Sequence, residues 1–275
     1  MKNTYESYHN HIKNPKYGVD YIFTNGDNYT HAIICNTAMP ELSIPEENVI
    51  GFAHEPLYFL RMSPEFIQYA KKHIGTYYIG EKNNLSDTFV EHQGFLHRLA
   101  SINYIPEKNK IMSIMVSHKQ EASGHIYRHK LVEAILKTNL PIDIWGNGTD
   151  LYKYTNDKRV KTKFDDLHNM YDSYKFHIAI ENFTTPHYIS EKLLNCLICS
   201  TMPIYWGCKN VSNYIDNVIL LSKNDDLNNR LVNDINLLTT ICNNPDKYYK
   251  PVNLDNQKLN KLLNFFDFIE KKFNI

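Results

Sequence analysis

The stretch YKFHIAIENFTTPHYISEKLLNCLICSTMPIYWG, residues 174–207, constrains the fold of this chain more than any other. Phe176 to Ile180 is a short, mostly apolar run, the pattern of a strand covered on both faces. Thr184, Thr185 and Pro186 break it, a helix is predicted from Tyr188–Ser190 to about Ser200, and Pro203 to Trp206 reads as the next strand. Strand, helix, strand in that order predicts a parallel sheet. Ligands of such sheets bind beyond the carboxyl ends of the strands, and Glu181, Asn182, Tyr188, Glu191 and Lys192 all fall at that edge.

The flanking sequence extends the pattern. Ile111–Ser117 predicts a strand, the following loop contains Gly124, and His125–Thr138 predicts a helix with Ile126, Leu131, Ala134 and Ile135 on its apolar face. Ile142–Trp145 and Val218–Leu221 are further strands, Lys161–Phe164 a short one and Asp165–Tyr171 a helix. Upstream, Tyr21–Thr24, His31–Cys35, Val49–Ala53 and Thr76–Ile79 predict strands, and Pro64–Lys72 a helix. Alternating strands and helices predict doubly wound sheets. The expected organisation is a short α/β domain over 1–105, a polar, proline-containing linker near 100–110, a second α/β domain over 110–250, and a C-terminal helical segment over 255–275. The last carries an apolar stripe of Leu262, Leu263, Phe266 and Ile269.

Composition removes several function classes. Thirty Lys and Arg balance thirty Asp and Glu in 275 residues, so no global field points to nucleic acid or an anionic membrane. No run of about 18 apolar residues predicts a membrane span, and the first residues lack the apolar core of a secretory signal. Five scattered cysteines suit a reducing compartment better than a disulfide scaffold. A cytoplasmic location is the expectation.

Four motifs carry candidate chemistry. Tyr188-Ile-Ser-Glu-Lys192 opens a helix whose first turn offers free N–H groups, the positive end of the dipole and a lysine, a setting that suits a diphosphate. A first-turn glutamate and a solvated lysine explain the same residues. Ser117 ends a strand and Arg128 lies early in the next helix, within reach of a phosphate or simply on a surface. Trp145-Gly-Asn-Gly148 lets backbone approach a ligand, or makes a plain turn. Glu55, in His54-Glu55-Pro56 after an apolar run, can take a proton at the end of a buried strand or sit as a loop glutamate in water. Neither G-x-x-x-x-G-K-[ST] nor G-x-G-x-x-G is present. Cys196-x-x-Cys199 lacks a second pair and reads as buried thiols; His9-x-His11 and Asp165-Asp166 carry no stronger metal signal.

The segment resembles the donor motif of the α-1,3/4-fucosyltransferases, glycosyltransferase family 10. The matching residues are Tyr174-Lys-Phe176, Ile180-Glu-Asn182, Tyr188-Ile-Ser-Glu-Lys192 and Pro203-Ile-Tyr-Trp-Gly207. Met115-Val-Ser117 with Arg128, Asp143-Ile-Trp-Gly146 and Phe52-Ala-His-Glu-Pro56 are similar to further family segments, although His118 stands where the family usually has Asn. The resemblance implies a GT-B fold of two Rossmann-like domains facing a central cleft, and inverting transfer of fucose from GDP-fucose to a glycan hydroxyl. It implies Glu55 as catalytic base and Glu191 as a donor-binding group that stabilises the oxocarbenium-like state. Lys192 and Arg128 would hold the phosphates, while Ser117, Asn182 and Tyr188 shape the donor pocket. Arg159 or Lys161 could supply a second cation. No metal is obligatory in this reading, and a divalent cation would at most stimulate. The implied partners are a GDP-sugar donor and a glycan acceptor. Another nucleotide sugar, or a non-catalytic sugar-nucleotide-binding module, remains an alternative.

Overall fold

The structure is a computed structural model that describes residues 23, 24, 26–94, 106–161, 167–251 and 265–275. Tyr21 and Ile22 of the expected first strand, the first half of the linker, all of the Lys161–Phe164 strand but Lys161, Asp165-Asp166, His9-x-His11, Leu262 and Leu263 lie outside them, as does the side chain of Phe266. The described residues form two compact units, each built on one parallel sheet.

The first unit holds β1 (Ala32–Cys35), β2 (Val49–Phe52), β3 (Thr76–Ile79) and β4 (Phe89–Glu91), paired in that order and all parallel. Alternation along the strands splits its core in two. Val49, Tyr77, Ile79 and Phe89 join a cluster with Phe66, Ala70 and Ile74, whereas Ile50, Phe52 and Tyr78 join Phe265 and Ile269. A helical turn, α1 (Leu57–Leu60), precedes helix α2 (Pro64–His73), which supplies Phe66 and Ala70. Its start follows from Ser63, whose Oγ accepts from Phe66 N at 3.2 Å, and from Pro64 at the first helical position. Gly51 is required on the Tyr77 face: a Cβ there would lie 2.2 Å from the Tyr77 ring.

The second unit has strand order β6-β5-β7-β8-β9, all parallel: β5 (Lys110–Met115), β6 (Ile142–Trp145), β7 (Tyr174–Ile180), β8 (Met202–Trp206) and β9 (Ile219–Leu220). The chain builds outward from β5 to β6, then returns past β5 to β7. That reversal is a topological switch point, the place where such sheets open a crevice at their carboxyl edge. Helix α3 (Ser123–Leu136) follows β5, α4 (Glu191–Ile198) follows β7, and α5 (Leu227–Asn243) and the turn α6 (Pro245–Tyr248) follow β9.

The buried face of α3 differs from the sequence expectation. Tyr127, Arg128, Leu131, Val132 and Ile135 are buried, while Ile126 is 46% exposed and Ala134 half-buried. The stripe is shifted by one residue because Arg128, a charged residue, faces inward. The sequence expectation lacks β4, α1, α5, α6 and the 3-10 segments Glu46–Asn48, Asn147–Thr155 and Val211–Asn213. The last helix, α7 (Phe265–Phe273), belongs to the first unit, with Phe265 and Ile269 against Ile50, Phe52 and Tyr78.

Candidate active site

β7 is buried almost throughout and ends at Ile180, so Glu181 leaves the sheet at the carboxyl edge, beside the switch point. Its carboxylate is fully buried. Oε1 accepts from Ser190 N at 2.8 Å and from the Tyr205 hydroxyl at 3.3 Å; Oε2 accepts from the Ser190 hydroxyl. Burial raises the Glu181 pKa above its ordinary 4.5, with the nearby Lys192 charge opposing the rise. The carboxylate fixes Ser190, and Ser190 caps α4, its Oγ accepting from Lys192 N at 3.2 Å.

Lys192 occupies the first turn of α4 with only 12% of its side chain exposed. Its Nζ donates to Glu191 Oε1 at 2.8 Å and to Ser190 Oγ at 3.2 Å, and lies 3.8 Å from Glu181 Oε2. Burial would raise the Glu191 pKa, but the charge and hydrogen bond of Lys192 outweigh it and hold the group below 4.5. Glu191, with 42% of its side chain exposed, is the carboxylate of this pair that faces solvent. A helix N-terminus, a held lysine and an ionised glutamate therefore stand together at the end of β7.

The β5 side of the switch point is tied to the β7 side. Gly124 N donates to Asn182 O at 2.9 Å, and a Cβ at Gly124 would lie 1.8 Å from Glu181 O. Arg128 is 4% exposed, and its Nη2 donates to Ile180 O at 2.5 Å. Its guanidinium thus stands at the sheet edge with part of its donor capacity committed to the backbone. Asn182 Oδ1 is buried beside the His125 ring without a well-formed hydrogen bond. Ser117 O accepts from His129 Nε2 at 2.9 Å, which sets the tautomer: Nδ1 then accepts from the Tyr152 hydroxyl at 2.6 Å. The two glycines after β6 serve close packing. Gly146 has φ +105°, and a Cβ on it or on Gly148 would strike Val116 O (2.1 Å) or Ser117 O (2.5 Å).

Arg159 and Lys161 are engaged elsewhere. Arg159 Nη2 pairs with Asp157 at 2.6 Å and Nη1 donates to Leu140 O at 2.7 Å; Lys161 pairs with Asp143 at 3.2 Å. Both hold the edge of the sheet around β6.

In the first unit Glu55 lies just beyond β2, exposed, on a small pocket. Glu81, Gln93, Thr185, His187 and Tyr188 line the same pocket. Thr185–Tyr188 belongs to the first unit although the rest of its motif lies in the second. His187 has φ +59° and its ring lies 3.6 Å from the Glu91 carboxylate. Tyr188 is buried. The structure thus gathers the seven candidate residues in two places: Glu55 and Tyr188 on the pocket of the first unit, and Ser117, Arg128, Asn182, Glu191 and Lys192 at the carboxyl edge of the second. The sequence places Glu181 at the ligand edge without assigning it a role, and it does not single out Ser190 or Tyr205 as site residues. The Ser-Glu-Lys order contains the cap signal of Ser190, but no local pattern reveals that Glu181 turns inward.

Comparison with known proteins places this architecture. A solved α1,3-fucosyltransferase with GDP superposes with a TM-score of 0.54 at 15% identity, covering 96% of this chain and 86% of that one. S. aureus TarM gives 0.51 at 9% identity, covering 84% and 51%. The fold is that of a GT-B glycosyltransferase. Residues 105–250 match the C-terminal part of glycosyltransferase family 10 (fucosyltransferase). The chain belongs to that family. It is 28% identical over 119 residues to a putative fucosyltransferase of Acanthamoeba polyphaga mimivirus, covering 42% of this chain and 19% of that protein. It is 29% identical over 162 residues to α-(1,3)-fucosyltransferase B of Drosophila melanogaster, covering 55% and 33%. It thus spans a third or less of the length of these curated relatives.

Proposed function

We propose that this chain is an inverting glycosyltransferase that moves fucose from GDP-fucose to a hydroxyl of a glycan acceptor. The observation that carries the reading is the β7–α4 junction. There Ser190 caps a helix N-terminus, and Lys192 is held by two carboxylates at the switch point of a parallel sheet. Negative charge grows on the leaving diphosphate as the sugar–phosphate bond breaks, and a preorganised cation with a helix terminus stabilises it without reorganisation. In this reading the diphosphate exchanges with Glu191 and Glu181 as the partner of Lys192, Arg128 adds the charge of its guanidinium, and Glu191 faces the positive charge developing on the sugar. Ser117 and Asn182 shape the donor pocket, and Tyr188 borders it. Glu55 removes the acceptor hydroxyl proton, the acceptor oxygen bonds to the anomeric carbon from the face opposite the phosphate, and GDP departs with the electron pair. The charge on GDP is met by side chains, so no divalent ion is obligatory and added Mg²⁺ or Mn²⁺ stimulates at most.

Incubation with GDP-fucose and a mixed oligosaccharide library, read by mass spectrometry, should yield products heavier by one deoxyhexose. In a thermal-shift panel of GDP-, UDP- and ADP-sugars, only the GDP species should protect. Protection by UDP or ADP species alone overturns the donor assignment, and donor protection with neither transfer nor hydrolysis overturns the enzyme. Glu55→Gln should lower turnover by ~10²–10⁴ with GDP-fucose affinity unchanged; wild-type turnover in that variant removes Glu55 from the mechanism. No helix among the described residues is long and apolar enough to cross a membrane.

A further inference from the structure

At the opposite edge of the second sheet, three side chains of different chemistry converge. His168 sits on the 3-10 turn Leu167–Met170, Asp172 follows it before β7, and Cys199 lies between α4 and β8. His168 Nδ1 is 3.2 Å from Asp172 Oδ1 and 3.5 Å from Cys199 Sγ, and the three ligand atoms lie within 4.8 Å of one another. We propose that His168, Asp172 and Cys199 bind a zinc-class divalent ion at a structural site separate from the transfer chemistry.

The donor set selects the ion. A thiolate with an imidazole and one carboxylate suits Zn²⁺ or Co²⁺ and disfavours Mg²⁺ and Ca²⁺, which take oxygen ligands. The spacing fits as well. Zinc bonds of 2.0–2.3 Å at tetrahedral angles set neighbouring ligand atoms roughly 3.3–3.7 Å apart, and the two His168 contacts, 3.2 and 3.5 Å, lie at or near that range. Cys199 is buried while His168 and Asp172 keep 21% and 18% of their side chains exposed. The cluster is therefore closed on one side and reachable on the other, where a water can complete four-coordination.

One nearby cation needs an account. Lys108 Nζ donates to Tyr171 O, Asp172 O, Cys199 O and Thr201 Oγ1, none of which is among the three ligand atoms. Binding would release the Cys199 thiol proton to solvent and leave the remaining imidazole proton on Nε2, with no change of oxidation state. The Cys196-x-x-Cys199 spacing does not form the site, because Cys196 Sγ donates to Lys192 O at 3.1 Å.

Cobalt(II) titration of the full chain, reduced and near neutral pH, tests this. One ion per chain should bind, with the visible absorption of a four-coordinate site and a near-ultraviolet thiolate-to-cobalt band, both abolished by zinc. Cys199→Ser should lose the near-ultraviolet band and Cys35→Ser should keep it. Asp172→Asn, at a partly exposed position, should weaken binding at least tenfold. No thiolate band in the wild-type protein overturns the proposal whatever the variants do, and so does a band that survives Cys199→Ser. Donor protection in the thermal-shift panel is independent of this outcome, so the two readings fail separately.

Discussion

Glu181 stabilises the site geometrically and destabilises the fold electrostatically at neutral pH. It is fully buried and its pKa is raised above 4.5 by that burial. An acid whose folded pKa is raised binds more protons folded than unfolded, so its contribution is fully present below 4.5 and is lost as pH rises through the folded value. Glu181→Gln, neutral at every pH, should therefore gain on the wild type as pH rises across that window. Urea unfolding at several pH values measures the difference, and a gap independent of pH would refute the burial argument. Lys192→Ala tests the neighbouring cation. Loss of one preorganised charge at the leaving diphosphate should cost on the order of 3 kcal/mol of transition-state stabilisation, roughly a hundredfold in kcat. An effect confined to acceptor KM would count against its phosphate role. Sequence reasoning reaches Lys192 because a lysine in the first turn of a helix after a buried strand has a chemical meaning on its own. Glu181 is different: what distinguishes it is the inward turn of its carboxylate and the Tyr205 hydroxyl 24 residues away, and neither leaves a local trace.

Elements announce themselves when their periodicity is undiluted. β3 and β6 are found at their expected bounds, and β1, β2 and β8 within one residue, because each is an apolar run between breakers. α5 was missed: LNNRLVNDINLLTTICN spreads its apolar positions among asparagines, which favour turns, and only the cap Asp226 marks its start. The stripe of α3 slipped because Arg128 occupies a core-facing position and Ile126 an exposed one, a reversal imposed by the bond from Arg128 to Ile180 O. Several motif residues prove to be scaffold. The Tyr174 hydroxyl donates to Asp143 Oδ2 at 2.7 Å and accepts from Trp145 Nε1 at 3.0 Å, joining β7 to β6 across β5. The closest approach between elements is at Gly124, where α3 meets the end of β7. A methyl group there meets backbone at 1.8 Å, so Gly124→Ala must push the helix away. Destabilisation of about 3 kcal/mol in urea unfolding is expected, together with weakened GDP protection, since the same shift moves Arg128. Wild-type stability in that variant would mean the helix end is free to move.

On the scale of the whole chain, the first unit is not a continuous stretch of sequence. It takes Thr185–Tyr188 from the middle of the family motif and α7 from the C-terminus. The two faces of its sheet are thus completed differently: one by α2 and nearby loops, the other by a helix more than 160 residues from the strands it covers. The sequence shows α7 as amphipathic, but nothing in an amphipathic helix names the sheet it will cover; that pairing is tertiary. It has an energetic consequence. Ile269 is 2% exposed among Ile50, Phe52 and Tyr78, so Ile269→Ala should cost about 2–5 kcal/mol in lost burial and cavity formation. The loss should be local to the first unit. Hydrogen exchange should accelerate at the amides of β1, β2 and β3, while those of β5, β7 and β8 keep their protection. Equal acceleration in both sheets would mean that the units unfold as one, and no acceleration in β2 and β3 would mean that α7 contributes nothing to holding the first sheet.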